Sequence, residues 1–163
     1  ARMHERAADF TKRAREEHGL ELETTEFPEG TKTAADAADA IGCDVAQIAS
    51  SIVLLAGADP VVVVTSGANR VSMAKLAAER GVDEDDVRMA DADEVREATG
   101  YAIGGVPPFC HHGEIEDVPT YLDETLTDYE VVWAAAGTPE AVFPVTPETI
   151  EATAEATVLD VAE

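Results

Sequence analysis

Residues 100–113, GYAIGGVPPFCHHG, form the segment of this 163-residue chain whose residue types and spacing are best suited to chemistry. Gly104 and Gly105 lack a Cβ, so their backbone N–H groups can approach a ligand closely. Pro107 and Pro108 stiffen the backbone and keep those amides in one orientation at low entropic cost. Amides held in this way can stabilise an oxyanion or bind a ribose. The same residues are also typical of an irregular crossover loop without a ligand, and both interpretations stay open here.

A dinucleotide site of the Rossmann type is excluded in this segment. The GxGxxG fingerprint follows a strand and opens a helix, whereas Pro107 and Pro108 prevent a helix at this point. The glycines therefore predict a rigid loop.

Cys110, His111 and His112 could act as a Cys-His nucleophile pair or as metal ligands. In an extended backbone Cys110 and His112 would share one face, and His111 would lie on the other. A zinc site needs three or four ligands, and the two remaining histidines, His4 and His18, are predicted on a surface helix. We therefore predict no metal and no other cofactor. Packing or hydrogen bonding is the favoured role of these side chains, and thiol catalysis stays an alternative.

The carboxylates are too numerous for their spacing to indicate acid-base catalysis. Most of the 34 Asp and Glu residues are predicted on a solvated surface. Asp123 differs because it ends a predicted strand instead of lying in an acidic cluster. We predict that it caps the helical turn formed by the residues that follow it.

The charge balance restricts the ways in which the protein can bind nucleic acid. With 34 acidic and 11 basic residues, the formal charge is −23, which argues against phosphate binding through a basic patch. A hydrophobic fraction of 45% excludes a disordered chain. We interpret the acidic excess as halophilic, an adaptation to a salty cytosol, because salt at about 1 M reduces the screening length to about 3 Å. An acidic surface for a protein partner is the alternative.

The sequence also bears on localisation. It contains no secretory h-region, no apolar run of about 18 residues and no CxxC pair, which predicts a cytoplasmic protein with no membrane partner. Residues 1–2 precede Met3 and are expected to be a remnant of cloning.

The pattern of apolar residues, caps and turn residues predicts the elements that position these groups. Residues 1–19 form an N-terminal helical segment, and loops are expected at 28–32 and 100–116. Helices are predicted over 4–18, 33–41, 73–80, 91–99 and from Thr146-Pro147 onwards. Strands are predicted over 20–27, 49–55, 61–66, 87–90, 117–122, 130–136, 141–145 and 157–162. No linker or repeat divides these elements, so we expect residues 1–163 to form one α/β (α+β) domain around a mixed sheet.

Five blocks, in chain order, carry a family resemblance. They are TAADAADAIG at 33–42, QIASSIVLL at 47–55, VVVVTSGANRVSMAKLAA at 61–78, ADADEVREATGYAIGGVPPF at 90–109 and DETLTDYEVVWAAAGTPEAVFPVTPETI at 123–150. Over about residues 20–162 the chain resembles the YbaK/EbsC family, which is related to the editing insertion of bacterial prolyl-tRNA synthetases. The resemblance implies a single compact domain with a mixed, largely antiparallel central sheet surrounded by helices.

The same resemblance implies a function. It predicts a freestanding trans-editing hydrolase, a deacylase that cleaves the ester between a wrong, small amino acid, such as Cys or Ala, and a tRNA. The expected partners are the acceptor end of the tRNA and an aminoacyl-tRNA synthetase.

The resemblance also implies a set of site residues. The family's GxxxP motif falls on Gly104 to Pro108, so Gly104 and Gly105 are expected to contact an oxyanion or ribose through their N–H groups, and Pro108 to fix the loop. His112 is expected to orient water or bind the ribose. The remaining predicted substrate-binding residues are Ser51, Val106, Phe109, Lys32 and Gly137.

Two positions depart from the family pattern. Ser50 stands where relatives carry a lysine, although Ser50 and Ser51 can still donate hydrogen bonds and Lys32 could reach the same site. Cys110 stands where relatives usually have Gly, and it could narrow the pocket. The missing lysine leaves a second hypothesis open, namely a module that binds aminoacyl-tRNA or a synthetase without efficient hydrolysis. A thiol or zinc hydrolase is the third.

Overall fold

The computed structural model describes residues 5–27 and 33–163. In this part of the chain five helices form, and the predicted side-chain caps begin the last four. The predicted glycines end the first four, whereas the fifth ends at Glu155, which has a positive φ of 51°. The Asp91–Glu94 capping box is present in full, whereas Thr33 accepts from the Asp36 N–H without a return bond from that side chain. None of these helices has the length and apolar composition of a membrane span. They are α1 (Glu5–His18), α2 (Ala34–Ile41), α3 (Met73–Arg80), α4 (Ala92–Thr99) and α5 (Pro147–Ala154).

Eight strands form one mixed sheet in the order β1-β7-β6-β2-β3-β5-β8, and β4 also pairs with β2. The β2–β6, β3–β5 and β5–β8 pairs are parallel and the other four are antiparallel, as predicted. The strands are β1 (Thr25–Glu26), β2 (Ile48–Ala56), β3 (Asp59–Ser66), β4 (Val87–Met89), β5 (Thr120–Asp123), β6 (Val132–Ala135), β7 (Ala141–Val145) and β8 (Thr157–Leu159). Short 3₁₀ turns cover Val45–Gln47, Glu84–Asp86 and Glu124–Asp128.

The central strand β2 is paired differently on its two edges. Along one edge it pairs with β3 over its length from Ala49 to Ala56. The other edge is shared by two short strands, since β6 pairs with Ile48 and Ala49 and β4 pairs with Leu54 to Ala56. The sheet therefore forks, which means that β6 and β4 leave a gap between them along this edge of β2. Residues 50–52 lie at this gap and have no strand partner on this edge.

Alternating side chains of the central strands supply two cores on opposite faces of the sheet. Val62 and Val64 face the larger core, which α1 closes with the fully buried Phe10. Val61 and Val63 face the smaller core, which contains Leu76 of α3. The four consecutive valines are therefore all buried, as expected of a strand covered on both faces.

Five strands are shorter than predicted, and two of them, expected over 87–90 and 130–136, cover Val87–Met89 and Val132–Ala135. The strand expected over 20–27 is reduced to Thr25–Glu26, because β1 is an edge strand that pairs with β7 over two residues only. The strand expected from 117 begins at Thr120, since Asp117 has a positive φ of 56° and is followed by Val118 and Pro119. The strand expected over 157–162 ends at Leu159 and is followed by an isolated bridge between Val71 and Ala162. The loop predicted at 28–32 lies outside the described residues.

Asp123 joins β3, β5 and the turn that follows β5. The side chain is fully buried. Its Oδ2 accepts hydrogen bonds from Thr65 Oγ1 (3.2 Å), Ser66 N (3.0 Å) and Asn69 Nδ2 (3.0 Å). Its Oδ1 accepts from Thr125 N at 3.0 Å, which confirms the predicted cap. Burial alone would raise the pKa of Asp123, but these donors, with the Asn69 amide first, outweigh burial and lower the pKa below its ordinary value.

We expect Asp123→Asn to lower the free energy of unfolding by about 2–4 kcal/mol at neutral pH, because the new amide N–H₂ group faces donors. Asp128→Asn, on an exposed residue of the same turn, should change it by less than about 0.5 kcal/mol. The ionised Asp123 stabilises the fold above its unfolded pKa of about 3.9 and ceases to do so as the pH falls through its lower folded pKa. The difference in the free energy of unfolding between wild type and Asp123→Asn, measured by urea titration, should therefore shrink below about pH 4. A difference that stays constant with pH would contradict this account.

Candidate functional site

The fork in the sheet opens into a cavity of about 250 Å³. Its walls come from β2, the start of α2, the end of β4, the 100–113 loop and β6. Most of the surface is apolar, and two side chains at its rim, Met89 and Ile103, are 50% and 55% exposed. The apolar lining includes Ala34, Ala37, Ile48, Val95, Val106, Trp133, Pro139 and Val142.

The described lining residues include no ionisable side chain, and their polar side-chain groups are the hydroxyls of Thr33, Ser50 and Ser51 and the indole N–H of Trp133. Thr33 Oγ1 already accepts from the Asp36 N–H as the cap of α2. Ser51 Oγ is buried and has no hydrogen-bond partner among the described residues. A buried hydroxyl without a partner costs about 1–3 kcal/mol, so a polar atom of a bound molecule would find a ready partner in Ser51.

The backbone of β2 also offers polar groups at the fork. The Gly67 N–H donates to Ile48 O, and the Ala90 N–H donates to Val53 O on the opposite edge. In an antiparallel pair successive residues point their N–H and C=O groups to alternate sides. Ile48 thus points its polar groups toward β3, and Val53 points its groups toward the other edge. Ser51 lies two residues before Val53, so its N–H and C=O also point away from β3, toward the edge on which the sheet forks. The Ser50 and Ser51 side chains project from opposite faces of the strand, and both reach the cavity because it opens at this edge.

Gly104 is the glycine of the 100–113 loop that lines the cavity. Its φ of +88° lies in the left-handed region, and a Cβ here would meet only Pro139 Cγ at 3.6 Å. No described residue accepts a hydrogen bond from its N–H. This amide therefore remains available to a ligand.

Gly105 has a different role from the one predicted. Its N–H donates to Ala102 O at 3.0 Å, so this amide is already engaged. A Cβ at Gly105 would lie 2.8 Å from Thr138 Cα, which is backbone and cannot move aside easily. Gly105 therefore allows the loop to pack closely against the β6–β7 turn and does not line the cavity.

Four other predicted site residues also lie away from the cavity. Pro108 is a buried residue of the loop, and Phe109 belongs to an aromatic cluster in the larger core. The Phe109 ring lies 5.7 Å from the Phe10 ring between centroids. Gly137 lies beneath α1, where its Cβ would meet Arg6 O at 2.8 Å.

His112 is the fourth. It lies on the far side of the loop, edge-to-face with Tyr101 at 4.8 Å and against Gly100. Of the predicted site residues, the fold brings Ser50, Ser51, Gly104 and Val106 together at the cavity. Lys32 lies outside the described residues and directly precedes the cavity residue Thr33 in the sequence.

The remaining chemistry-bearing residues of the loop hold its shape. His111 Nε2 donates to Pro107 O at 2.7 Å, which closes a turn of the loop. Burial lowers the pKa of His111, so the ring is neutral at neutral pH. Burial also raises the pKa of the Cys110 thiol to about 12, which argues against its use as a nucleophile. Both features fit the predicted packing role.

Several residues that line the cavity carry no signal in the sequence that would predict a role in the site. Trp133 and Pro139 lie in the last block of the family resemblance, but their side chains carry no motif that would mark them. Thr33 was recognised only as a cap, and α2 only as an element of the fold. The turn after β6 and the start of α2 meet at the fork through long-range pairing, which no local pattern encodes.

Three comparisons relate this chain to known proteins. Residues 28–152 match the family model of the aminoacyl-tRNA editing domain. The chain is 33% identical over 129 residues to the uncharacterized protein YwhH of Bacillus subtilis (strain 168), with 78% of each chain covered. It is also similar to a solved structure described as a "putative trans-editing enzyme for prolyl tRNA synthetase", with 38% identity, a TM-score of 0.90 and 99% of both chains covered. The structure of the hypothetical protein APE2540 is similar at 27% identity and a TM-score of 0.82, over 94% of this chain and 99% of that one.

The packing of the loop leads to a test of the two adjacent glycines. Gly105→Ala should lower the free energy of unfolding by about 1–3 kcal/mol, because its Cβ meets the Thr138 backbone. Gly104→Ala has space for its Cβ and should cost only about 1 kcal/mol, from its positive φ. Denaturant unfolding at one high salt concentration measures both. A Gly105→Ala protein as stable as wild type would show that the close approach is not required.

Proposed function

Because the chain belongs to the aminoacyl-tRNA editing domain family, the YbaK-like proteins, we propose that it is a freestanding deacylase that hydrolyses the ester of a mischarged tRNA in trans. The observation that carries this proposal is the cavity at the fork of the sheet, where the buried Ser51 hydroxyl and the Gly104 N–H both lack partners among the described residues. These are neutral hydrogen-bonding groups in an apolar site.

Such a site is sufficient for the reaction. An aminoacyl ester is already activated, so the enzyme must position a water molecule, hold the ribose and stabilise the oxyanion. Water attacks the carbonyl carbon, and as the tetrahedral intermediate collapses a proton from that water is transferred to the departing ribose oxygen. The C–O bond to the adenosine breaks, and the amino acid and the free ribose hydroxyl are the products. In our proposal the Gly104 N–H donates to the developing oxyanion, and Ser51 Oγ orients the aminoacyl group or the water.

The size of the cavity is suited to an aminoacyl group. A water molecule occupies about 30 Å³ in the liquid, so a cavity of about 250 Å³ has room for about eight waters, enough for an aminoacyl group but not for the adenosine as well. We therefore place the terminal adenosine at the rim, against the exposed apolar side chains of Met89 and Ile103. Amino acids such as Cys, Ala or Ser fit this cavity.

The surface charge constrains how the tRNA is bound. A protein of formal charge −23 cannot rely on counterion release along the phosphate backbone. Recognition then rests on short-range contacts to the acceptor end, which concentrated salt in a cytosol would leave intact. By analogy with the relative described as acting for prolyl tRNA synthetase, a synthetase is the proposed protein partner.

One observation favours a second candidate function. The described lining of the cavity includes no cation, and Ser50 stands where the resemblance leads us to expect lysine. A protein with this site could bind aminoacyl-tRNA or a synthetase and hydrolyse the ester slowly. The two functions differ in turnover and not in binding, so a rate measurement separates them.

The main test is a deacylation panel with Ala-, Cys- and Ser-charged tRNAs in multimolar KCl. We expect at least one ester to be hydrolysed faster than in the protein-free control. Gly104→Ala should slow that reaction by about 10- to 100-fold, because the strained backbone no longer presents its N–H in the same direction. No acceleration of any ester, with binding retained, would favour the binding module.

Ser51→Ala separates a functional from a structural role of this hydroxyl. It should reduce kcat/KM about 3- to 10-fold, through loss of one hydrogen bond to the substrate. Its thermal stability should be unchanged or slightly higher, because no described protein group loses a partner. Thr157→Ala, which removes an exposed hydroxyl from β8, is the matched control and should affect neither quantity. If Ser51→Ala lowers stability and leaves kcat/KM unchanged, the hydroxyl has no part in catalysis.

The thiol or zinc hydrolase makes a contrasting prediction. Cys110 lies outside the cavity, so our proposal expects full deacylation activity in Cys110→Ala and in the presence of a chelator. Loss of activity in either case, at an unchanged free energy of unfolding, would support the thiol or zinc hydrolase instead.

A further inference from the structure

A second cluster of chemistry-bearing side chains lies on the side of the 100–113 loop that faces away from the cavity. It contains Glu17 and His18 at the end of α1 and Cys110 of the loop, and their ligand atoms all lie within 4.8 Å of one another. We propose that these three residues form a binding site for a transition-metal ion of the Zn²⁺ type. This proposal is independent of the deacylase function.

The type of donor atoms selects the class of ion. A thiolate, an imidazole nitrogen and a carboxylate oxygen are ligands of Zn²⁺ and of neighbouring transition metals, whereas Mg²⁺ and Ca²⁺ require oxygen ligands. Three protein ligands leave a fourth tetrahedral position for water. Because the metal binds the thiolate, the S–H bond of Cys110 breaks, a sulfur–metal bond forms and the proton passes to solvent.

The local backbone favours a cation at this point. Glu17 and His18 are the last two residues of α1, where the free carbonyl groups of the helix carry partial negative charge. Cys110 is buried and has a φ of 62°, a strained value for a residue with a side chain. The backbone thus holds the thiol toward the end of α1 at some energetic cost.

The surroundings of the cluster leave room for an ion. An open pocket runs over all three residues and is lined further by His111 and His112. The His18 ring packs edge-on against Phe109 at 6.4 Å between centroids, which limits its orientation. Arg13 Nη1 lies 3.6 Å from Glu17 Oε2, so the Glu17 carboxylate must give up part of this exposed ion pair when a metal binds.

The site would tie α1 to the loop that carries Gly104. His18 and Cys110 are far apart in the sequence, and only the fold places α1 against the loop. No local sequence pattern therefore indicates this metal site. In this arrangement the metal has a structural effect, namely a link between α1 and the loop, which also pack together through Phe10 and Phe109.

The proposal is tested by titrating the whole protein with Zn²⁺ against a chromophoric chelator, and with Co²⁺ as a spectroscopic probe. Excess Mg²⁺ and high KCl keep the acidic surface from binding these ions. We expect one ion per chain, a thiolate-to-Co²⁺ charge-transfer absorption, and a rise in Tm of roughly 5–10 °C at a hundredfold excess of Zn²⁺ over Kd.

Three variants make the test specific. Cys110→Gly should fold, because glycine favours the positive φ, and it should lose the charge-transfer band and the Tm rise. His18→Gln should weaken Zn²⁺ binding at least 10-fold. Cys43→Ser, at the other and half-buried cysteine, should bind as wild type does.

Two outcomes would overturn the proposal. One is a wild-type protein that shows neither the band nor a Tm rise. The other is binding that survives in Cys110→Gly or that disappears in Cys43→Ser, since the ion would then lie elsewhere.

Discussion

The unequal pairing of β2 is the constraint on which the rest of this molecule depends. One edge is fully satisfied by β3, whereas the other is divided between β6 and β4, two strands too short to meet. The unpaired stretch between them would be a defect in an ordinary sheet, because a buried backbone requires hydrogen-bond partners. Here the stretch is covered by α2 and by the 100–113 loop, which turn the defect into a cavity.

The 100–113 loop has two different sides. Between them, Gly105 packs closely against the Thr138 backbone. On the side of the cavity lies Gly104, whose N–H has no partner among the described residues. Toward α1 the loop presents Cys110, whose thiol faces the Glu17 and His18 side chains. Because the residues between Gly105 and Cys110 are all buried, the loop cannot shift on one side without disturbing the other. A ligand in the cavity and an ion at the end of α1 would therefore act on the same rigid segment.

The local features of the fold could be predicted from the sequence, and its long-range features could not. Caps and turn glycines marked the ends of the helices because their chemistry is local, as the Asp91–Glu94 capping box illustrates. The pattern of helices and strands predicted the mixed sheet, the residue types of the loop indicated Gly104 as a candidate site residue, and the family resemblance added Ser51. The placement of His112 and Phe109 could not be predicted, since it depends on how the loop turns after Pro108 and packs against α1. The same long-range packing brings His18, predicted only as a residue of a surface helix, next to Cys110.

The neutral lining of the cavity has a consequence for the evolution of this protein. Hydroxyl and amide donors in an enclosed apolar site act over a few ångströms, and the field of distant surface carboxylates contributes little to them, especially in salt. The outer surface can therefore gain or lose many charges while the geometry of the interior stays the same. A lineage that moved between dilute and saline environments could replace its exterior residue by residue and keep one inherited cavity.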